Sequence, residues 1–523
     1  MMKKIFVNSL YLRIQSLIMV FFLAFLISCD WGSSSSGGGG DSNRITNPTD
    51  GVQNPPSVNF APSASAKWTI MVYLDGDNDL EPFALLDFQE MKTGMAALGA
   101  EAGDPSQYIN LIVMIDRIPG YSNAELEGEN FTDTRYFKIT KDGATRLDDG
   151  GTGDGHVANL GEKNMGDPAT LTAFIDYCNT YHSADHYALI LWNHGSGARS
   201  SNLDEPLAVK DTSFKKSLDK PMIIGSAQKG VKAICDDETD GDILYIDEVQ
   251  QAIADSSITK LDIIGFDACL MGTIEVAYEF RDLADYMVGS MNLEWGNGWD
   301  YNRLFSGMTG NSSDAKELAK LMVKQYRDST STTSSETQSA TDLSKIAALK
   351  TAVDAFAVKL AAENKKSRIE TTRDLSYNFY TSDVDSINYP YYDLGDFAYQ
   401  ISTDTGYSED LKNSAETVIT KLSETVVSAY ANTGFGNYYG TGAEVKRGLS
   451  IFFSRGNLTY WDDSHYAYQW WYTSRNIVFD YGTDFEYGRI DFCDFNDNGS
   501  VETWKELMEY YYNPGGTASA DTF

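Results

Sequence analysis

The chain reads as an α/β protein, with a mostly parallel sheet of about six strands, helices on both faces and a small C-terminal appendage. Three observations lead there. The apolar runs Trp68–Leu74, Tyr108–Asp116, Tyr187–Trp192 and Leu261–Phe266 are continuous rather than alternating, as strands buried on both faces must be. Stretches of helical character separate them. Two of the runs lead into chemically active residues, His194 and Cys269, and α/β sheets carry their sites at the carboxyl ends of strands.

The N-terminus is an address rather than a fold. Lys3, Lys4 and Arg13 precede the apolar run Leu17–Ile27, which is short for a membrane span but right for a secretory signal. The run ends Leu26-Ile27-Ser28-Cys29, which resembles the bacterial lipobox. That resemblance implies cleavage before Cys29, lipidation of this cysteine and tethering to a membrane; the other reading is an incidental cysteine after an ordinary signal peptide. Ser33–Ser36 and Gly37–Gly40 open a polar stretch suited to a flexible tether. The expected location is therefore the cell envelope, on its periplasmic or cell-surface face.

Composition narrows the partners. The 523 residues exceed one ordinary domain. A net charge of −34, from 75 acidic and 41 basic residues, argues against nucleic acid, whose phosphates need clustered Lys and Arg. It suits cationic substrates, divalent cations or plain solubility. Besides Cys29, the widely spaced Cys178, Cys235, Cys269 and Cys493 form no CxxC pair and no disulfide scaffold.

The elements follow in order. Trp68–Leu74 is a first strand that ends in Asp75-Gly76-Asp77-Asn78-Asp79, turn and cap formers ahead of a helix with Glu81-Pro82 in its first turn. Tyr108–Asp116 is the second strand, Tyr136–Thr140 part of a hairpin, and Asp148–Gly155 a loop. A helix over Pro168–Tyr181 leads into the third strand, Tyr187–Trp192. Leu261–Phe266 is the fourth strand, Tyr286–Asn292 the fifth and Gly448–Ser454 the sixth. Helices are expected over Asp314–Tyr326, Leu343–Asn364 and Leu411–Asn432.

The chemistry sits at two strand ends. Cys269 leaves the fourth strand and is expected at a helix N-terminus, where the dipole favours thiolate; the other reading is a small buried cysteine. The third strand leads through Asn193 into His194-Gly195. If the two strands are neighbours, imidazole and thiol share one edge, the pairing a cysteine nucleophile needs. Gly195 allows close approach, so its N–H and that of Cys269 can hold an oxyanion.

The segments WTIMVYLDGDNDLE, ALILWNHGSG and IIGFDACLMG, in this order, resemble the clostripain family of cysteine peptidases over Lys67 to Ser454. The resemblance implies a caspase-like fold, a His194–Cys269 dyad, an oxyanion hole from the Gly195 and Cys269 amides, and cleavage after Arg or Lys. It makes Asp267 a lining of the specificity pocket, where a helix cap is the plain alternative, and it sets Glu294 on the second pocket wall. A desolvated guanidinium or ammonium needs such a carboxylate. Self-cleavage between His194 and Cys269 is expected as well. The segment Arg199–Lys232 carries seven basic residues, Arg199, Lys210, Lys215, Lys216, Lys220, Lys229 and Lys232, and a solvated basic loop would look the same.

No cofactor is needed for that chemistry, but family members can depend on calcium. Asp236, Asp237, Glu238, Asp240 and Asp242 are dense enough to bind Ca2+, with a solvated acidic loop as the alternative. In the tail, Asp494, Asn496, Asn498, Ser500 and Glu502 match the start of an EF-hand loop, but Lys505 stands where a bidentate acid is expected; an Asx-rich turn before a helix Thr503–Tyr511 is the alternative. Cys178, His182 and His186 have zinc-like spacing but lack the HExxH glutamate.

The expected division is a signal peptide over 1–29, a tether over 30–66, a peptidase domain over 67–459 and an aromatic-rich region over 460–523. The expected activity is that of a lipid-anchored cysteine endopeptidase acting on proteins or peptides with Arg or Lys. The competing readings are a peptidase of other preference and a non-catalytic surface-binding lipoprotein, which would have no need of His194 and Cys269.

Overall fold

The chain alternates strands with helices from Ala66 onward, and the apolar runs become the middle of one sheet. The structure is a computed structural model; it describes residues 66–102, 108–153, 155–198, 234–308, 314–330, 336–379, 390–431, 448–453, 490–493 and 500–512. The signal segment with Cys29, the tether, the Arg199–Lys232 segment, the aromatic stretch Tyr460–Tyr487 and Asp494, Asn496 and Asn498 lie outside these residues.

In chain order the strands are β1 (Ala66–Gly76), β2 (Ile109–Arg117), β3 (Arg135–Thr140), β4 (Gly143–Arg146), β5 (Ala184–Trp192), β6 (Asp236–Asp237), β7 (Asp242–Ile243), β8 (Leu261–Asp267), β9 (Ala284–Gly289), β10 (Thr337–Asp342), β11 (Tyr391–Asp393), β12 (Val426–Ala431) and β13 (Ser450–Phe452). Nine of them form one sheet in the order β12-β10-β9-β8-β5-β1-β2-β3-β4. The central five, β9-β8-β5-β1-β2, are parallel, and antiparallel pairs extend both edges. The expected mostly parallel α/β sheet is what the structure has, although wider than six strands. Every residue of β2 is buried, as are all but one of β1 and of β8, which is why these strands read as unbroken apolar runs.

Two expectations change, and one strand was not anticipated. The sixth strand is not in the main sheet: β13 pairs with β11 in a separate two-stranded sheet and bridges Thr273 through Ser450. The expected helix Leu411–Asn432 is a helix only over Glu409–Thr425, and Val426-Val427-Ser428-Ala429-Tyr430-Ala431 continues as β12, as its β-branched and aromatic residues favour. β10 gives no apolar signal, because its sequence is Thr-Gln-Ser-Ala-Thr-Asp. Its buried Thr337, Gln338 and Ser339 side chains instead make hydrogen bonds; the Thr337 and Ser290 hydroxyls, for example, lie 2.9 Å apart.

The end of the C-terminal region packs on the peptidase fold. Trp504, at the start of the helix Trp504–Tyr512, is fully buried against Phe397 and Phe453 and donates its indole N–H to the Phe452 carbonyl at 2.8 Å. Glu506 accepts the Thr503 N–H at 2.8 Å, so it caps its own helix. No helix among the described residues is long and apolar enough to cross a membrane.

Candidate active site

β5 and β8 are adjacent and parallel, and their register pairs Trp192 with Asp267. His194 and Cys269 each lie two residues beyond that pair, so they leave the sheet at the same level on neighbouring strands, which are spaced by roughly 4.8 Å. Both are buried. Gly195 packs directly on this turn: a Cβ at this position would overlap the Cys269 carbonyl oxygen and stand 3.0 Å from the Cys269 nitrogen. The Gly195 backbone therefore lies against the Cys269 amide.

The setting of Cys269 corrects one expectation. The helix that follows is only Ile274–Glu279, capped by the Thr273 side chain, so Cys269 is not at a helix N-terminus and Asp267 is not a helix cap. The thiol sulfur instead receives the Glu294 backbone N–H at 3.2 Å. The same thiol faces the Glu294 carbonyl oxygen at 3.7 Å, so the Glu294 peptide fixes where the sulfur sits. Leu270, directly after the cysteine, holds a left-handed φ of 64°, and its N–H donates to the Asn292 carbonyl at 3.0 Å. A non-glycine residue in that region marks a constrained turn.

His194 has a partner that sequence reasoning missed. Its Nε2 lies 2.7 Å from Asp79 Oδ1. A carboxylate only accepts, so Nε2 carries the proton and Nδ1 is the basic nitrogen of the neutral ring. Asp79 belongs to the acidic turn read from sequence as cap and turn formers. Its nearness to His194 follows from β1 lying beside β5, which that turn alone does not encode. The preceding Asn193 donates its side-chain amide to Asp75 Oδ2 at 2.6 Å and accepts the His194 N–H. On the far side of the loop, the Tyr391 hydroxyl donates to the Ser196 carbonyl at 3.2 Å and accepts the Ala198 N–H at 2.9 Å.

Asp267 and Glu294 come together beside this edge. Asp267 is buried and accepts the Tyr301 hydroxyl at 2.9 Å and the Trp299 N–H at 3.2 Å. Burial pushes its carboxyl up to about 6, against hydrogen bonds that favour the ionised form. Glu294 is pushed well above the usual carboxylate range, first by burial and then by the charge of Asp267. The two carboxyls are close enough that the charge of Asp267 disfavours a second charge on Glu294. Asp87, buried nearby, accepts the Trp192 indole N–H at 2.7 Å and adds a further acid to this region.

The zinc-like trio does not assemble among the described residues. His186 Nδ1 faces Asp262 Oδ1 at 2.7 Å and its ring stacks on Trp68, while burial lowers His182 to about 3. Cys178, Cys235, Cys269 and Cys493 are buried, and none of the four is in a disulfide.

The family model described as the clostripain family matches residues 72–218 and 221–504, past the Ser454 limit read from sequence and through Trp504. Clostripain of Hathewaya histolytica is 34% identical over 500 residues, covering 86% of this chain and 87% of that protein. A secreted cysteine protease from Bacteroides thetaiotaomicron, solved with an irreversible peptide inhibitor, is 19% identical, with 77% of this chain and 96% of that one covered at a TM-score of 0.49. An inactive zymogen protease from Parabacteroides distasonis is 18% identical, with 75% and 93% covered at a TM-score of 0.48.

Proposed function

The chain belongs to the clostripain family and is a cysteine endopeptidase acting on peptide or protein substrates, and we propose that it cuts after Arg or Lys with Cys269 as nucleophile and His194 as its base. The observation that carries this reading is the shared register of His194 and Cys269 beyond the Trp192–Asp267 pair.

In the proposed cycle, His194 Nδ1 takes the thiol proton while Asp79 holds the ring through Nε2. The thiolate attacks the scissile carbonyl carbon, and the resulting oxyanion is held by the Gly195 and Cys269 amides. The imidazolium returns its proton to the leaving amine, a thioester remains, and water attacks it to release the acid. Cysteine peptidases of this family need no cofactor for these steps.

The buried pair Asp267 and Glu294 supports the preference for a cationic P1 side chain. A guanidinium placed there meets a carboxylate in a desolvated pocket, where such pairing is strongest. The lipobox-like Cys29 and the polar stretch after it support export and lipid anchoring at the cell envelope, with the peptidase domain from about Lys67 onward. The basic residues of Arg199–Lys232, a segment between His194 and Cys269, support self-cleavage.

One assay tests the core of this reading. The chain and its Cys269→Ala variant are given fluorogenic peptides ending in Arg, Lys, Asp or Ala. Cys269-dependent turnover of the Arg and Lys peptides is expected, and turnover confined to Asp or Ala peptides would overturn the assigned preference. Intact mass tests self-cleavage, because an active preparation of one unbroken chain refutes it. A Cys29→Ala variant that still partitions with membranes refutes the anchor.

A further inference from the structure

The loop that carries His194 away from β5 is pinned from two sides. Gly195 lies against the Cys269 turn, where a Cβ would overlap the Cys269 carbonyl oxygen. Gly197 holds a left-handed φ of 80°, and a Cβ there would overlap the Tyr391 hydroxyl. Glycine alone suits both that backbone and that approach. From its own side the Tyr391 hydroxyl donates to the Ser196 carbonyl at 3.2 Å and accepts the Ala198 N–H at 2.9 Å. The Ser196 hydroxyl adds no further anchor, because it is buried without a hydrogen-bond partner among the described residues. The Gly195 N–H likewise makes no hydrogen bond among the described residues, so its direction is set by the peptides around it.

Tyr391 reaches this loop from outside the main sheet. β11 and β13 pair antiparallel, with Tyr391 opposite Phe452 and the two rings edge to face at 5.9 Å. β13 is in turn fastened to the chain just past the nucleophile. The Ser450 N–H donates to the Gly272 carbonyl at 3.0 Å, Ser450 bridges Thr273, and the Phe452 N–H donates to Glu275 Oε1 at 2.8 Å. One strand of this small sheet thus holds the segment after Cys269, and the other holds the segment after His194.

We propose that Tyr391 is a positioning residue for the oxyanion hole: its hydroxyl fixes Ser196–Ala198 and so aims the Gly195 N–H at the scissile carbonyl oxygen. The proposal rests on the oxyanion role given above to the Gly195 amide. Tyr391 is fully buried, so it acts through the loop and not on the substrate. An oxyanion donor works only within about 2.7–3.1 Å of the developing charge, so a small shift of the loop removes much of its effect. Two glycines in four residues leave the backbone soft here, and a ring held between two strands supplies the missing stiffness. His194 has its own supports, Asp79 on the ring and Asn193 on the N–H, so the tyrosine governs the amide rather than the imidazole.

The test separates oxyanion stabilisation from nucleophile reactivity in the full chain. Turnover is measured on the fluorogenic peptide that the parent cleaves fastest, and loss of activity to iodoacetamide is followed as a function of pH. Alkylation forms a carbon–sulfur bond and expels iodide without building an oxyanion, so it reads the Cys269 thiolate and its base alone. Tyr391→Phe removes one oxygen and keeps the ring. Its kcat should fall about ten- to a hundredfold with KM within about twofold, short of the 10²–10³ for outright loss of a donor. Its alkylation rate and pH profile should match the parent's. Gly197→Ala, which pushes a Cβ onto the same hydroxyl, should show the same split. On a Gly195→Ala background Tyr391→Phe should cost less than about threefold, because the amide it aims is already displaced.

Equal losses in kcat and in alkylation rate would make Tyr391 a merely structural residue and overturn the proposal. So would a lower Tm with kcat unchanged below the unfolding transition, or the full loss repeated on the Gly195→Ala background. Parent-like kcat in Tyr391→Phe beside a crippled Gly195→Ala would overturn the proposal alone. Parent-like kcat in Gly195→Ala would overturn the oxyanion reading beneath it.

Discussion

Replacing Asp267 by Asn separates function from stability, because the two effects have opposite signs. In the folded chain Asp267 titrates near 6, against an ordinary value of 3.8. Between these pH values the folded state holds more protons than the unfolded one, so stability falls as pH rises across this window. Above pH 6 the full penalty stands. A span of about two pH units at ~1.4 kcal/mol each makes it up to ~3 kcal/mol. Asn is nearly isosteric and does not titrate, and its carbonyl oxygen can still accept from Tyr301 and Trp299. Asp267→Asn is thus expected to unfold at a higher temperature than the parent at pH 7, with the difference vanishing near pH 4. For an Arg substrate the change removes the desolvated partner of the guanidinium. Losing one member of a buried ion pair costs about 3–5 kcal/mol, so kcat/KM should fall by roughly 10²–10³ or more. The remaining activity on Arg should lose the limb by which the parent's KM improves as pH rises through about 6. The assays are thermal unfolding between pH 4 and 7, and kcat and KM for Arg and Ala peptides over the same range. A lower Tm at pH 7, or equal losses on Arg and Ala peptides, would refute the reasoning.

Three further outcomes are expected. Asp79→Ala should lower kcat by about ten- to a hundredfold, the worth of one hydrogen bond to a charged group, and should shift the acid limb of the pH profile; Asp79→Asn should restore part of the loss, and an unchanged profile would remove Asp79 from the positioning of His194. Gly195→Ala drives a Cβ into the Cys269 backbone, so kcat should fall by about 10²–10³ with KM little changed; full activity would exclude the Gly195 amide from the oxyanion hole. Trp504→Ala should cost about 3–5 kcal/mol in denaturant unfolding of the peptidase fold, because the ring is wholly buried against Phe453; an unchanged midpoint would show that the tail does not stabilise that fold.

The sequence by itself determined the middle of the sheet and the residues at its edge. β1, β2, β8 and the Ala188–Trp192 half of β5 are buried on both faces, so each is an apolar run legible without knowing its neighbours, and the residues just past such a run sit at a strand end by chain continuity. Only the tertiary structure decided which strand lies beside which. β10 is polar because buried hydrogen bonds replace apolar contacts there, and β13 left the main sheet to pair with β11. Asp79 met His194 because β1 lies next to β5. The thiol found a backbone donor at Glu294 in place of a helix dipole, because the chain turns for several residues before the helix begins. Asp77, Asp116, Glu162 and Asp237 look like ordinary turn acids in sequence, since burial and mutual repulsion arise only when four distant segments converge. Local periodicity records how deeply a segment is buried; it does not record what it is buried against.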